Sequence, residues 1–280
     1  MDEEEKDRRE KDKAEQLDET SESIIHRMID FDTDYNKRND EARERNELID
    51  LESLLTQRQD RLLHALEKRY QYSTSIKRGQ DYLQNYVSSK RSLVIMYADL
   101  VGSTKMSMTL PVDKLVTIIR AFVHEISSVI ETYDGYVLKY VGDAVIAFFP
   151  LGFNKYLTYD KVVRCAKSII NVLTNGINPI LRNYECPQLF VKVGAEEGQN
   201  VVVQYAYDRS SQIDLLGYSM NVSAKITSLT GANKVSIGEN VYNLLHPVIQ
   251  SDFHELEYDK EEWKYINADT GMLYKIYTTN

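Results

Sequence analysis

The spacing of apolar residues switches between strand-like and helical from residue 92 to residue 150. Residues 92–98, SLVIMYA, form a short apolar run of strand length. A helix is predicted to begin at Pro111. Its apolar residues recur every three or four positions and share one face: Leu115, Ile118, Ile119, Phe122 and Ile126. After Gly135, the segments YVLKY and DAVIAFF predict two strands joined by a tight turn at Val141-Gly142.

The second half of this pattern repeats the alternation of helix and strand. Residues 160–181 predict an amphipathic helix, and the segments LFVKVGA and VVVQYAY after it predict two strands. The order βαββαβ indicates an α+β domain with a ferredoxin-like sheet and helices on one face. Gly217 precedes a further helix over about 218–230, and short strands follow at KVSIG and at the C-terminal LYKIY.

The N-terminal residues 1–70 have a different character. The chain has no Gly or Pro before Gly79, and about half of these 70 residues are charged with both signs mixed, which favours helix or solvated coil. One stretch has the spacing of a coiled-coil seam: Leu48, Leu51, Leu55, Arg58, Leu62 and Ala65. The alternative is a single solvated helix. We therefore predict a charged helical region over 1–70, a linker over 71–91 and a folded domain over 92–280.

Composition narrows the classes of partner. Hydrophobic residues make up 42% of the 280 residues, which is enough to build a core. The net charge of −9 disfavours nucleic acid as a partner. The chain has no apolar run of about 18 residues and no signal-peptide pattern, so we expect a cytoplasmic protein without a membrane partner. Cys165 and Cys186 lack metal-ligand spacing and are interpreted as structural free thiols.

Two aspartates follow predicted strands. Asp99 follows directly on the first strand, and Asp143 lies in the turn between the next two. In a βαββ unit the first and third strands are neighbours, so these carboxylates meet at one sheet edge and could hold hard divalent cations. The loop VGST after Asp99 could cradle phosphates with its backbone N–H groups. Each feature alone is more often a turn or cap.

Taken in order, three segments resemble the class III nucleotidyl cyclase catalytic domain over roughly residue 92 to the C-terminus. YADLVGST resembles the first metal-site block of that family, and KYVGDAVIAFFP resembles the second. IDLLGYSMNVSAKI resembles the third, an Asp-x-x-Gly followed by Asn-x-x-x-basic. The resemblance implies binding of two Mg²⁺ or Mn²⁺ ions per site by Asp99, Asp143 and the carbonyl of Leu100.

The same resemblance places Lys139 and Asp214 at the positions that recognise the base. Adenine presents a ring acceptor beside an amino donor, which complements an ammonium and a carboxylate. Guanine reverses both groups and would leave two mismatched polar groups in a partly buried site. We therefore expect ATP to be preferred over GTP. Taken alone, Lys139 would be interpreted as an exposed strand lysine, and Asp214 as a turn residue.

The remaining candidate residues contact ribose and phosphate. Asn221 and Lys225 lie one helical turn apart and match the family's Asn and Arg, which orient the ribose and stabilise charge on phosphorus. Lys225 departs from the family, because Lys lacks the planar fork of Arg and its bidentate phosphate contact. The predicted phosphate-binding set is Val101, Gly102, Ser103, Thr104 and Lys264. The family's Lys-Gly setting is absent, and Lys275 and Lys234 are rivals to Lys264. The pair Glu196 and Glu197 has no explanation at this stage.

These features predict a homodimeric adenylate cyclase. In the family the sites lie at a head-to-tail dimer interface, with the metal aspartates on one protomer and the base, Asn and basic residues on the other. The helical N-terminal region would then dimerise the chain or transmit a signal. Two alternatives stay open: a cyclase acting on GTP or a pyrimidine nucleotide, and a catalytically silent nucleotide-binding or scaffold module.

Overall fold

The computed structural model describes Gln59 and residues 75–152, 154–206, 211–258, 263–267 and 270–280. Apart from Gln59, the predicted helical region 1–70 and its heptads lie outside these residues. The helices are α1 (Ile76–Gln84), α2 (Ser103–Thr109), α3 (Val112–Thr132), α4 (Lys155–Asn171), α5 (Asn178–Asn183), α6 (Tyr218–Leu229), α7 (Glu239–Tyr242) and α8 (Pro247–Gln250). The strands are β1 (Lys90–Leu100), β2 (Tyr136–Val141), β3 (Ala144–Pro150), β4 (Val191–Gln204), β5 (Ile213–Leu216), β6 (Lys234–Gly238), β7 (Phe253–Glu255) and β8 (Ile276–Thr279).

The strands form one mixed sheet in the order β2-β3-β1-β4-β6-β8-β7. The contact between β4 and β6 is parallel, and the other strand pairs are antiparallel. β4 is long enough to pair β6 with its first half and β5 with its second half. The predicted βαββαβ order and the α+β fold class are confirmed, with β1 and β3 adjacent as expected.

Strand β4 is one continuous strand where the sequence predicts two. The polar residues between the two predicted strands are accommodated inside the sheet, because Glu196 and Asn200 are fully buried and hydrogen-bonded. Asn200 Nδ2 donates to the Gly198 carbonyl, and its Oδ1 accepts from Ser219 Oγ. Buried polar side chains with partners cost far less than unpaired ones, so the strand is not interrupted.

Helices cover both faces of the sheet, whereas the sequence predicts one. The larger core lies between one face and helices α3 and α4, around Phe122, Ile126 and Tyr159. The smaller core lies on the other face, where Leu83 of α1 and Met220 of α6 pack against Leu93 and Ile95 of β1. The period-two alternation of β1 sends its residues into these two cores in turn.

The close approach of α6 to the sheet depends on a glycine. A Cβ at Gly194 of β4 would lie 2.2 Å from Thr227 Oγ1, so only Gly fits beneath this helix. The Ser223 hydroxyl of α6 also donates to the Ile95 carbonyl at 3.1 Å. These contacts fix the distance between α6 and strands β1 and β4, and with it the position of the polar residues on the outer side of the helix.

The predicted helix over 160–181 begins earlier, at Lys155, and is not uniform. A π-helical segment, Val172–Ile177, separates α4 from α5, and Pro179 lies in the first turn of α5. In the described part of the chain, no helix combines the length and the apolar character needed to cross a membrane.

Candidate active site

The two aspartates predicted to bind metal lie at one edge of the sheet. The last paired residues of β1 and β3 are Ala98 and Val145, so Asp99 lies one residue beyond this pair and Asp143 two residues beyond it. Gly142 has a φ of 63°, a conformation that Gly adopts without strain, and it turns the chain directly before Asp143. The tight turn and the strand register together bring both carboxylates to the same end of adjacent strands.

The two carboxylates have different surroundings. Asp143 Oδ2 is buried and has no hydrogen-bond partner. Asp99 is partly exposed, and its Oδ2 lies 3.3 Å from Lys192 Nζ. A buried carboxylate oxygen without a partner is costly, and a hard cation would remove that cost. Among the described residues, no cluster of three or more His, Cys, Asp or Glu side chains is suited to a metal. The candidate ligands at this edge are the carboxylates of Asp99 and Asp143.

Lys192 is a further candidate site residue, which sequence reasoning missed. It lies opposite Asp99 in the β1–β4 register, although the two residues are far apart in the chain. Its side chain is 22% exposed, so its ammonium group faces the same sheet edge as the two carboxylates without being sealed in the core. The sequence could have indicated Lys192 by its position in the predicted strand LFVKVGA, if that strand had been placed beside the first strand.

The loop after Asp99 turns into helix α2. Gly102 has a φ of 76° and precedes the helix, so Ser103 and Thr104 occupy its first turn, where backbone N–H groups have no partner within the helix. The Val101 N–H donates to the Phe190 carbonyl at 2.8 Å and is already paired within the chain. The amides available to a phosphate therefore belong to the residues after Val101. Leu100, whose carbonyl is the third predicted metal ligand, is the last residue of β1, and its side chain is buried.

The two residues predicted to recognise the base contact each other. Lys139 Nζ lies 2.5 Å from Asp214 Oδ2, and both side chains are mostly but not fully buried. The other carboxylate oxygen of Asp214 accepts a hydrogen bond from the Leu215 N–H at 2.9 Å. A bulge in β2 between Val137 and Lys139 breaks the alternation of the strand at this point. The structure thus brings together an ammonium and a carboxylate that are 75 residues apart.

Tyr97 belongs to the same group and was not predicted. Burial, and secondarily the nearby Asp214 carboxylate, raise the pKa of the Tyr97 phenol above its ordinary value. The side chain therefore stays a neutral hydroxyl at physiological pH, able to donate or accept a hydrogen bond. Tyr97 precedes Asp99 by two residues, so period-two alternation places both side chains on one face of β1.

Asn221 and Lys225 lie on α6, one helical turn apart as predicted. Asn221 is exposed and Lys225 is half-buried. Within the described part of the chain, no hydrogen bond or ion pair links either side chain to Asp99, Asp143, Lys139 or Asp214. One chain therefore presents separate groups of candidate residues.

The three lysines considered for phosphate binding have different surroundings. Lys264 is exposed and follows the fully buried Trp263, whose indole N–H donates to the Tyr274 carbonyl. Lys275 Nζ lies 2.8 Å from Glu255, so its charge is partly neutralised. Lys234 is half-buried at the start of β6. Of these three residues, Lys264 is exposed, whereas Lys275 and Lys234 are half-buried.

Glu196 has a structural explanation. Its side chain is fully buried, and it accepts hydrogen bonds from the Tyr274 hydroxyl at 2.6 Å and from the Glu197 N–H at 2.7 Å. Burial raises its pKa from 4.5 to about 8, so the carboxyl group is mostly neutral at pH 7. Tyr274 precedes β8, so this hydrogen bond ties the C-terminal segment to β4.

Comparison with known proteins identifies relatives that act on nucleotides. The family described as Adenylate and Guanylate cyclase catalytic domain matches residues 85–274, more than half of the chain. A cytidylate cyclase of Escherichia coli is 21% identical over 161 residues, covering 55% of this chain and 35% of that protein. A uridylate cyclase of Burkholderia cepacia is 27% identical over 179 residues, covering 62% of this chain and 76% of that protein.

A solved structure shows the same fold. The crystal structure of the guanylyl cyclase Cya2 superposes with a TM-score of 0.56 at 16% identity, covering 69% of this chain and 93% of that chain. This likeness concerns the fold alone. The chain spans less than half the length of the first three curated relatives that it matches.

Proposed function

The chain belongs to the family of adenylate and guanylate cyclase catalytic domains, and on that basis we propose that it converts ATP to 3′,5′-cyclic AMP and pyrophosphate. The observation that carries the choice of an amino base, as in ATP, over a keto base, as in GTP, is the contact between Lys139 Nζ and Asp214 Oδ2 at 2.5 Å. An ammonium and a carboxylate held side by side can read a base edge that presents an acceptor beside a donor.

This edge is shared by two of the four bases. Adenine and cytosine both present an amino donor next to a ring nitrogen acceptor, whereas guanine and uracil present a carbonyl next to an N–H. The Lys139–Asp214 pair therefore separates amino bases from keto bases, but it does not by itself separate a purine from a pyrimidine. Leaving mismatched polar groups in a partly buried site costs about 1 to 3 kcal/mol for each group.

CTP is accordingly the second candidate substrate. The relatives include proteins named cytidylate cyclase from Escherichia coli and Staphylococcus aureus, at 21% and 22% identity. Cytosine offers the same acceptor and donor to Lys139 and Asp214, but it is smaller than adenine. The Tyr97 hydroxyl, whose pKa the Asp214 carboxylate helps to raise, is a candidate for a further contact with the base.

The residues at the sheet edge fit divalent cations, which the family uses. Asp99 and Asp143 would hold them, because Asp143 Oδ2 is buried without a partner and both ligands are hard oxygen donors. When bound, Mg²⁺ or Mn²⁺ would lower the pKa of the ribose 3′-hydroxyl and neutralise charge on the triphosphate. The Lys192 ammonium would share in neutralising that charge once it releases the Asp99 carboxylate.

The reaction requires positioning and charge stabilisation. A bond forms between the ribose 3′-oxygen and the α-phosphorus, the bond from that phosphorus to the bridging oxygen breaks, pyrophosphate leaves, and the hydroxyl proton passes to solvent. Asn221 orients the ribose with its amide, and Lys225 faces the charge that develops on the α-phosphate. Exposed Asn221 and half-buried Lys225 are accessible for these contacts.

A head-to-tail homodimer would assemble these residues into complete sites. Within the described residues, no hydrogen bond or ion pair joins Asn221 or Lys225 to Asp99 or Asp143, and a second copy of the chain would supply the other half of each site. One protomer would supply Asp99 and Asp143. Its partner would supply Asn221 and Lys225, together with the two residues that read the base. A homodimer would then contain two such sites.

A nucleotide panel tests the proposed substrate. The purified chain is incubated with Mn²⁺ and each of ATP, CTP, GTP and UTP, and cyclic products are identified by mass spectrometry. We expect ATP to be used best, CTP next, and the keto-base nucleotides at least about tenfold less well, since two mismatched groups at about 1 to 3 kcal/mol each together exceed about 1.4 kcal/mol, the value that corresponds to a tenfold ratio. Preference for GTP or UTP would contradict reading of the base by Lys139 and Asp214.

A further inference from the structure

Helix α1 lies on the two strands that carry the base-reading residues. It contacts β2, which carries Lys139, and the start of β5, which carries Asp214. The sequence gives no sign of this, because residues 76–84 fall in the stretch predicted to be a linker. Leu83 of α1 is nevertheless fully buried in the smaller core.

The contact of α1 with β5 is made by one amide side chain. Gln80 Nε2 donates to the Ile213 carbonyl at 3.0 Å, and Gln80 Oε1 accepts from the Ile213 N–H at 2.8 Å. Both backbone groups of a single residue are thus paired by one side chain, as they would be by another strand. Ile213 is the residue directly before Asp214, so Gln80 fixes the backbone that aims the carboxylate.

The contact of α1 with β2 is made by the two residues that precede Gln80 in the helix. A Cβ at Gly79 would lie 2.2 Å from the Val137 carbonyl oxygen, so Gly allows the helix backbone to press directly on β2. Arg78 donates to the Gly135 carbonyl at 3.2 Å, and its guanidinium lies 4.5 Å from the centre of the Tyr136 ring. Val137 is two residues before Lys139, on the other side of the bulge in β2.

We infer that Gln80 is a positioning residue for base recognition, which fixes Asp214 against Lys139 by pairing both backbone groups of Ile213. This inference rests on the proposed function, because it assigns Lys139 and Asp214 to the base. The 2.5 Å contact between those side chains requires β2 and β5 to keep a set distance. Helix α1 spans both strands and holds that distance, and the amide of Gln80 is its direct link to Asp214.

The test replaces the amide without shortening the side chain. Gln80→Met removes both hydrogen bonds, and Gln80→Glu keeps the acceptor for the Ile213 N–H but loses the donor to its carbonyl. Gln84→Met is the matched control, since Gln84 is an exposed residue at the end of the same helix. For each protein, kcat and KM are measured with ATP, CTP and GTP.

We expect the ratio of kcat/KM for ATP to that for GTP to fall at least about fivefold in Gln80→Met, mainly through a higher KM for ATP. Gln80→Glu should also lower the ratio, because an ionised carboxylate would face the Ile213 carbonyl without a hydrogen to donate, and Gln84→Met should equal the unchanged protein. A structural role alone would lower activity with every nucleotide equally. A folded Gln80→Met protein with an unchanged ratio would overturn the inference.

Hydrogen exchange provides a second measurement that needs no activity and no variant. In the unchanged protein the Ile213 amide should exchange slowly, because its hydrogen bond is to Gln80 Oε1. Exchange at the rate of an open amide would overturn the inference even if both Gln80 variants fail to fold. Lack of cyclase activity in the unchanged protein would instead contradict the proposed function, and the Ile213 exchange rate would still decide whether Gln80 holds β5.

Discussion

At the scale of single residues, Asp143 carries the strongest sign of a ligand. Its Oδ2 atom is buried without a hydrogen-bond partner, a state that a folded protein tolerates where a cation completes the site. The neighbouring Asp99 has Lys192 as a counter-charge, so the two carboxylates are not equivalent before metal binds. We therefore expect a bound cation to stabilise the Asp143 carboxylate more than the Asp99 carboxylate.

Asp143→Asn should therefore abolish turnover while preserving the fold. The amide keeps the shape of the carboxylate but is a poor ligand for Mg²⁺ or Mn²⁺, and we expect at least about a hundredfold loss of kcat. The measurement is the rate of cyclic product formation, with the melting temperature as a check on folding. Asp134→Asn is the control, because this turn aspartate pairs with Lys161 away from the site and should keep full activity. More than about a tenth of the activity remaining in Asp143→Asn would contradict the metal assignment.

Glu196 makes the stability of the protein depend on pH. Its pKa is raised by burial from 4.5 to about 8, so between these values the folded protein retains a proton that the unfolded chain releases. The free energy of unfolding should fall as the pH rises through this window, by at most about 1.4 kcal/mol per pH unit from this group.

Glu196→Gln removes this titration and keeps one acceptor for the Glu197 N–H. The variant should lose the Glu196 contribution to the slope and gain stability relative to the unchanged protein above pH 7, as measured by urea unfolding between pH 5 and 9. Glu257→Gln, at an exposed carboxylate, should leave the slope unchanged. An identical pH slope in Glu196→Gln and the unchanged protein would show that Glu196 is already ionised in the fold.

At the scale of elements, strand β4 connects the site to the rest of the domain. Its first half carries Lys192 opposite Asp99, its middle holds Glu196, and its second half pairs β5 with Asp214. Because the register is fixed along a continuous strand, these residues keep fixed positions relative to one another. The position of Lys192 suggests that it rivals Lys264 as the cation facing the triphosphate.

Variants of the two lysines separate these roles. Lys192→Ala should lower kcat/KM by roughly 1 to 3 kcal/mol of transition-state stabilisation, and Lys192→Arg should restore most of it, because the charge is what matters. If β4 supplies the cation, Lys264→Ala should have the smaller effect in the same assay. A larger loss of kcat/KM in Lys264→Ala than in Lys192→Ala would show that the lysine of the C-terminal segment, not Lys192, contacts the phosphates.

The sequence predicts the elements better than it predicts their contacts. Helix α3, the hairpin of β2 and β3, and helix α6 follow from apolar spacing and glycines, and the aspartates follow from strand ends. Lys192, Tyr97 and Gln80 could not be found in this way, because their roles depend on which strands become neighbours. Helix α1 was missed because its sequence, IKRGQDYLQ, is mostly polar, and only its packing against β2 and β5 gives it a structural role.

At the scale of the whole molecule, the proposed reaction requires two chains. The aspartates lie at one sheet edge and Asn221 with Lys225 on α6, so a lesion in either group should disable both sites of a homodimer. Asp143→Asn and Asn221→Ala proteins should each be nearly inactive. Mixed and allowed to exchange completely, they should recover up to about one quarter of the normal activity, because half the dimers are mixed and each has one intact site.

Two controls make this mixing experiment decisive. Heterodimers are verified by mass spectrometry of differently tagged chains. A mixture of Asp143→Asn with Asp99→Ala should not recover, because each of the two sites would then lack one metal-binding aspartate. Verified heterodimers of Asp143→Asn with Asn221→Ala that remain inactive would show that each site is completed within one chain.

The stoichiometry of products tests the central claim, cyclisation of a nucleoside triphosphate, most directly. The purified protein is incubated with ATP and Mn²⁺, and 3′,5′-cyclic AMP and pyrophosphate are quantified from the same reaction. The account predicts that the two products appear in equal amounts and that both disappear in Asp143→Asn. Formation of AMP or ADP without cyclic nucleotide, or of no product with any of the four nucleoside triphosphates, would contradict it.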